Sequence, residues 1–299
     1  MEKELGEIKA VLKKYGQEHL LNNFENLDEA HKKELLKEIK GINFELVTSL
    51  YDSTKKEKKN TKDEITPIDY LDKFKLGDKY KYYENIGKKA IKEGELAVVT
   101  MAGGQGTRLG HNGPKGTYDI GLDSHKSLFE LLSDGIKEEA KKYGVTIPWF
   151  IMTSRENNKA TIEFFDKHTY FVYQKDKNIF FFIQGELPMM DTEGKILIGE
   201  DGLIKLAADG HGGIYESLVK TGMTKKMKEL GVKWVFIGGV DNCLVKMVDP
   251  VLMGVAIDQQ VTVACKSVVK ANPQEKVGVF CKRNGKPNVI EYTEITEDM

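Results

Sequence analysis

The run ELAVVTMAGGQGTRLGHNGPKG, residues 95–116, decides how the rest of the chain is read. Its first part is short and continuously apolar, which fits a strand buried on both faces. Its second part packs six glycines, an arginine, a lysine and a proline between Thr100 and Gly116. Glycine loses more backbone freedom on folding than any other residue, so such a run marks a place where backbone must come close to something. In open α/β sheets ligands sit outside the carboxyl ends of strands, where backbone N–H groups face anions. The segment therefore predicts a buried parallel strand that opens into a phosphate-binding loop.

The pattern repeats outward from there. SLFELLSDGIKEEAKKYG reads as an amphipathic helix ended by Gly144, and residues 147–154 as the next buried strand. RENNKATIEFFDKH predicts a helix, and residues 179–188, IFFFIQGELP, one strand. GGIYESLVKTGMTKKMKELG predicts one helix and VKWVFIGGVDN, residues 232–242, a strand. VTVACKSVVK and EKVGVFCKRNGKPNVIEY follow. Buried strands alternating with helices of this length predict a doubly wound α/β sheet.

The first 50 or so residues differ. Leu5, Ile8, Val11, Leu12 and Tyr15 recur at helical spacing, and Leu35, Leu36 and Ile39 repeat the pattern. STKKEKKNTKDE, residues 53–64, reads as a solvated linker, because a charge run is usually a wet surface. YYENIGKKAIKEGE predicts a helix closed by Gly94. The expected division is a helical N-terminal region, 1–90, and a nucleotide-binding domain, 91–299.

Composition narrows the function classes. The chain has 299 residues, 40% hydrophobic and 30% charged, with a formal net charge of −1. That balance argues against wholesale binding to nucleic acid or an anionic membrane, and leaves room for a local basic site. No apolar run approaches the roughly 18 residues of a membrane helix. The N-terminus carries no apolar core of a secretory signal. Cys243, Cys265 and Cys281 are scattered without metal-ligand spacing, which suits reduced thiols. The expected location is the cytoplasm, with small-molecule partners and an unassigned oligomeric state.

Three phosphate-loop types compete for the glycine run. A dinucleotide fingerprint needs a third glycine where Leu109 stands, and an immediate helix where Pro114 follows instead. A kinase-type P-loop needs G-K-[ST], whereas this chain reads GPKGT. What remains is a loop with two cations, Arg108 and Lys115, seven residues apart. That suits a nucleoside triphosphate better than the diphosphate of a dinucleotide cofactor.

MAGGQGTRLGHNGPKG resembles the signature loop of the eukaryotic-type UDP-sugar pyrophosphorylases, most of all the UDP-N-acetylglucosamine pyrophosphorylase branch. IPWFIMTS, EFFDKHTYF, FFIQGELPMMD, DGHGGIYESL, VDNCLVKMVDP and NPQEKVGVFCKRNGKPNVIEYTEI occur in the order and spacing of that family, over roughly residues 95–295. The resemblance implies a Rossmann-like nucleotidyltransferase with a mixed, mostly parallel sheet flanked by helices. It implies a uridylyltransferase: the oxygen of a sugar 1-phosphate attacks the α-phosphorus of UTP, and pyrophosphate leaves. For an N-acetylhexosamine 1-phosphate the product is a UDP-N-acetylhexosamine.

The same resemblance implies roles for particular residues. Ala102, Gly103 and Gly104 would lie against uracil and ribose. Gly106, Thr107 and Arg108 would cradle the leaving phosphates, and Lys115 would neutralise charge on the α-phosphate. Gln184 would read the uracil edge, since an amide offers both a donor and an acceptor. Gly210 would let backbone approach the base, and His211 would face the ribose and sugar. Asp241 would hold Mg²⁺, a hard cation suited to carboxylate and phosphate oxygens. Gly278, Glu291 and Tyr292 would line the sugar pocket. Trp149 and Trp234 read as core, Asp249 before Pro250 as a turn former, and His19, His31, His111, His125 and His168 receive no role.

Two departures bear on the reading. His211 stands where hexosamine-specific members usually carry asparagine, and GHG is the glucose-type pattern. The family also runs on past Met299, so the nucleotide half is expected here and the domain is expected to be incomplete at its C-terminus. The alternatives are a UDP-glucose or other UDP-sugar pyrophosphorylase, a UTP-binding domain without turnover, and an oxidoreductase that uses the loop for a dinucleotide.

Overall fold

The structure, a computed structural model, describes residues 2–55 and 63–295. Most of the lysine-rich linker expected at 53–64 lies outside these described residues, at 56–62. The chain opens with three helices, α1 (Glu2–Tyr15), α2 (Glu29–Gly41) and α3 (Phe44–Lys55). Asp28 caps α2 by accepting from the N–H groups of Ala30 and His31. Ile8 and Leu12 are buried, with Leu5 and Tyr15 packed beside them. Val11 is 41% exposed, contrary to the expected stripe. Adjacent residues on a helix are turned about 100° apart, which leaves Val11 at the stripe's margin beside Leu12.

A short strand β1 (Ile65–Thr66) and the helix α4 (Asp78–Lys92) lead to β2 (Leu96–Met101). Then come α5 (Leu128–Tyr143), β3 (Trp149–Thr153), α6 (Asn158–Lys167) and β4 (Ile179–Ile183). The small strands β5 (Glu186–Pro188) and β6 (Leu206–Ala208) enclose an arm of irregular chain. The order ends with α7 (Ile214–Lys220), α8 (Met223–Glu229), β7 (Trp234–Gly239), α9 (Pro250–Asp258), β8 (Val279–Arg283) and β9 (Lys286–Ile290).

The central sheet has the order β4-β3-β2-β7, parallel at every pairing. Side chains alternate across a strand, and that alternation splits β2 and β3 between two cores. Leu96, Val98, Trp149 and Ile151 face Phe129, Leu132 and Ile136 of α5 and Met253 of α9. Ala97, Val99, Phe150 and Met152 face Ile214 and Leu218 of α7 and Met227 of α8. Helices on both faces explain why both strands read as unbroken apolar runs. Trp149 is core, as expected, and its indole N–H donates to Thr100 Oγ1 at 2.8 Å. β7 is one of the two edge strands, and Trp234, half-buried, packs against the α5 core. The antiparallel pairs lie in two smaller sheets, β1-β8-β9 and β5-β6.

Two expected elements are broken in the structure. The 179–188 run is two strands, because pairing to β3 ends at Gln184. Its N–H still donates to the Thr153 carbonyl at 2.8 Å, but the next N–H, of Gly185, donates to Ser217 Oγ at 2.9 Å. The chain then turns into the antiparallel β5-β6 pair. The single helix expected at 212–231 is interrupted by Gly222, whose φ of +77° is left-handed and cannot continue an α-helix.

The packing does not follow chain order. Ala90 and Ile91 of α4 belong to the α5 core, whereas Ile196 and Ile204 of the arm belong to the core of the N-terminal helices. Gln17, 5% exposed, completes that second join. Its Nε2 donates to the Gly194 carbonyl at 2.8 Å, and its Oε1 accepts from Ile196 N–H at 3.0 Å, as a neighbouring strand would. α4 and α9 cross at glycines. A Cβ on Gly87 would lie 1.9 Å from the Pro250 carbonyl oxygen, and one on Gly254 would lie 1.8 Å from that of Tyr83.

Candidate active site

The loop after β2 is ordered by its own backbone. Gly106 N–H donates to Gly113 O at 2.9 Å, Lys115 N–H to Gly104 O at 3.1 Å and His111 N–H to Gly106 O at 3.1 Å. Gly110 has a φ of +69°, where a side chain would be strained. At Gly103 the constraint is a close approach: a Cβ there would stand 2.4 Å from Gln184 Oε1. Gly104 meets nothing within 4 Å, so its face is open to a ligand. Ala102 is buried at the strand exit, and its N–H donates to Met152 O at 2.7 Å.

The histidine given no role fills the inside of this loop. The His111 ring lies against Gly106 and Gly113, edge-on to Tyr118, with Nε2 2.7 Å from Thr117 Oγ1. Thr117 Oγ1 donates to the Pro114 carbonyl at 2.8 Å, so the hydroxyl accepts from the imidazole and Nε2 carries the hydrogen.

Two of the predicted residues, Asp241 and Gln184, meet this loop from other elements. Lys115 Nζ lies 2.8 Å from Asp241 Oδ1, at the carboxyl end of β7, with side chains 26% and 62% exposed. Gln184, at the end of β4, sets its amide against Gly103. Thr107 and Arg108 form a short exposed turn after Gly106, and Arg108 has no ion-pair partner among the described residues. Gly210, with a φ of +81°, starts the turn of His211–Gly213 that feeds α7. Gly278 and Glu291 form a second grouping, flanking the paired ends of β8 and β9. A Cβ on Gly278 would lie 3.1 Å from Glu291 Oε1, and the neighbouring Tyr292 is exposed. No hydrogen bond or ion pair among the described residues ties Gly278, Glu291 or Tyr292 to the loop.

Asp241 is an exposed hard-oxygen donor at the sheet's carboxyl end. No group of three or more His, Cys, Asp or Glu side chains among the described residues could hold a metal by itself. One carboxylate completed by substrate phosphates and water is the ordinary protein share of a Mg²⁺ site, so Asp241 fits.

Asn157, Asp209 and Ser217 escaped the reading of the sequence. Asn157 is 1% exposed; its Nδ2 donates to Ala102 O at 2.9 Å and Gly104 O at 3.2 Å, and its Oδ1 accepts from Ser154 N–H at 2.9 Å. Its only sequence signal is the cap position before a helix. Asp209 is wedged between two glycines: a Cβ on Gly185 or on Gly213 would come within 2.1 Å of its Oδ2. Its Oδ1 is buried without a hydrogen-bond partner, and burial pushes its carboxyl above the usual carboxylate range. Asp249 is the expected turn former. It accepts from Val251 and Leu252 N–H at the start of α9 and pairs with Lys266 at 2.8 Å. Burial raises its carboxyl, and the Lys266 contact together with the Leu252 and Val251 N–H bonds outweighs that and holds it below the usual range.

Comparison with known proteins bears on the family of the chain. Residues 42–299 match the family model described as UTP–glucose-1-phosphate uridylyltransferase. The UDP-N-acetylglucosamine pyrophosphorylase of Saccharomyces cerevisiae is 37% identical over 95% of this chain and 63% of its own length. UDP-N-acetylglucosamine diphosphorylase 2 of Arabidopsis thaliana is 37% identical over 96% of this chain and 61% of its own. The crystal structure of the Trypanosoma brucei uridine diphosphate N-acetylglucosamine pyrophosphorylase, solved with an inhibitor, superposes with a TM-score of 0.79 at 31% identity. It covers 99% of this chain and 62% of that one. The chain thus spans about three fifths of the length of these relatives. With a family match running from residue 42 to residue 299, the chain belongs to the UTP–glucose-1-phosphate uridylyltransferase family.

Proposed function

We propose that this chain carries the UTP site of a uridylyltransferase that converts UTP and an N-acetylhexosamine 1-phosphate into UDP-N-acetylhexosamine and pyrophosphate. The observation that carries the reading is the convergence of Lys115 and Asp241 beside an open glycine loop at the carboxyl end of a parallel sheet. A cation and a carboxylate held together there can neutralise and orient a triphosphate, which is most of what phosphoryl-type transfer asks of a protein.

In the proposed reaction the sugar-phosphate oxygen forms a bond to the α-phosphorus, and the bond to the bridging oxygen breaks. The electron pair leaves with pyrophosphate. Lys115 meets the charge that builds on the α-phosphate, and Arg108, Thr107 and Gly106 face the leaving phosphates. Ala102, Gly103, Gly104, Gln184 and Gly210 hold the uridine, and His211 faces the ribose and sugar. Gly278, Glu291 and Tyr292 are assigned to the sugar. Asp241 would hold Mg²⁺, which when bound supplies further neutralisation of phosphate charge.

The names carried by the yeast and Arabidopsis relatives support N-acetylglucosamine as the sugar. The family description and the glucose-type His211 favour glucose as the second reading. We place the protein in the cytoplasm, a reading supported by three free cysteines; no helix among the described residues is long and apolar enough to cross a membrane. The test is pyrophosphate release from UTP and Mg²⁺ with N-acetylglucosamine, N-acetylgalactosamine, glucose or galactose 1-phosphate. Release with the N-acetyl sugars supports the proposal, and release with glucose alone moves it to the second reading. UTP binding without release in any arm reduces the chain to a binding domain.

A further inference from the structure

We propose that Asn157 is a positioning residue for the nucleotide: its side-chain amide fixes two peptide units of the loop so that the N–H groups of Gly103 and Gln105 point into the cleft. The proposal rests on the reading of that loop as the UTP site.

The argument begins with the amide itself. A primary amide has two N–H donors and an oxygen acceptor. In Asn157 the two donors go to Ala102 O and Gly104 O, and the oxygen accepts from Ser154 N–H. Flipping the amide would set its oxygen against two carbonyls and its NH₂ against an N–H, so only one orientation satisfies all three contacts. The side chain is 1% exposed, and its bond to Ala102 O is fully buried. Leaving the buried Ala102 carbonyl unpaired is costly, so the strand exit is held where it reaches Nδ2, and the second N–H joins Lys115 N–H on the Gly104 carbonyl.

A trans peptide unit is planar, with its C=O and N–H pointing in opposite directions. The described residues contain no cis peptide. The carbonyls of Ala102 and Gly104 point inward to Asn157, so the N–H groups of the same two units, on Gly103 and Gln105, point outward. Neither N–H has a hydrogen-bond partner among the described residues. They are two aligned donors one residue apart, beside the open face of Gly104. Acceptor oxygens of the uracil or of the phosphate chain are their chemical complement. Asn157 is thus the inner half of a binding surface whose outer half is backbone.

The experiment uses the full chain, UTP and Mg²⁺. Asn157→Asp keeps the size and the acceptor but loses both donors and turns an anion toward two carbonyls. Two hydrogen bonds at the usual net strength correspond to roughly a thirtyfold effect. The expected result is a rise of about thirtyfold in the UTP dissociation constant, or in KM with kcat retained, together with a lowered melting temperature, since the buried Ala102 carbonyl loses its partner. As a measurement independent of any variant, hydrogen exchange at the Gly103 and Gln105 amides of the parent protein should slow on adding UTP. UTP binding by Asn157→Asp at parental affinity, or UTP binding by the parent with both amides exchanging as before, overturns the proposal. Failure of the parent protein to bind UTP at all removes the underlying reading as well, and is distinguished by needing no variant. If Asn157→Asp does not fold, the exchange measurement decides alone.

Discussion

Lys115 Nζ and Asp241 Oδ1 stand 2.8 Å apart, although one comes from the glycine loop and the other from the far end of β7. Each is therefore the other's ion-pair partner. A phosphate that draws Lys115 away leaves the Asp241 carboxylate available to a cation, so the two halves of the proposed site become available together.

Removing either partner should damage turnover far more than folding. Exposed ion pairs contribute less than about 1 kcal/mol to stability, whereas loss of one group that meets developing charge typically lowers kcat by roughly 10²-fold or more. Lys115→Ala and Asp241→Ala are expected to melt near the parent temperature and to release pyrophosphate at least about 10²-fold more slowly. Parental rates in either variant would remove that residue from the chemistry.

Gly103→Ala tests the contact with Gln184. The new methyl would meet the amide end of a flexible side chain rather than backbone. The chain should therefore fold, with the amide displaced from the base. The expected outcome is weaker discrimination of UTP from CTP, matching that of Gln184→Ala, with little change in melting temperature. Competition binding of the two nucleotides checks it.

Asp209→Asn should stabilise the protein near neutral pH. Burial raises this carboxyl, so the folded protein binds its proton more readily than the unfolded chain. Wherever the native state binds more protons, stability falls as pH rises. The penalty is absent below the unfolded carboxylate pKa of about 4 and fully present above the raised folded value. The Asn157 proposal is untouched by this variant, whose melting temperature should exceed the parent's at pH 7 and converge on it near pH 4. A constant difference across that range would show that ionisation is not the cause.

Gly87→Ala tests the crossing of α4 and α9. There the obstacle is the backbone of Pro250, which cannot rotate away as a side chain can. Overpacking of this kind costs about 1–3 kcal/mol, which outweighs the helix-propensity gain of roughly 1 kcal/mol from replacing glycine by alanine. Urea denaturation should show a lower midpoint than for Gly41→Ala, a helical glycine with nothing within 4 Å of its Cβ position.

Much of this architecture was legible because local pattern and tertiary environment agree. β2 and β3 are apolar throughout since both faces are covered, and Gly144 ends α5 in the left-handed conformation its composition suggests. The breaks at Gln184–Gly185 and Thr221–Gly222 were not legible, because apolar periodicity carries across them. What breaks the first is a hydrogen bond to Ser217, 32 residues away. The loop's glycines announced a ligand, but its inner supports were hidden. Asn157 looks like a helix cap and His111 received no role, yet both act on backbone, 55 and 5 residues away, respectively. Gly278 and Glu291 were assigned through resemblance, and their proximity in the structure joins them to each other rather than to the phosphates.

The shared core of the N-terminal helices and the arm sets where the molecule can be cut. The family match starts at residue 42, yet Leu12, Leu20, Leu35 and Ile39 lie before it and cover Ile196 and Ile204. A polypeptide started at residue 42 would strip these greasy side chains and would also abandon the Gly194 carbonyl and Ile196 amide that Gln17 serves. The edge of the family match is therefore not a place where this chain can be cut without uncovering the arm.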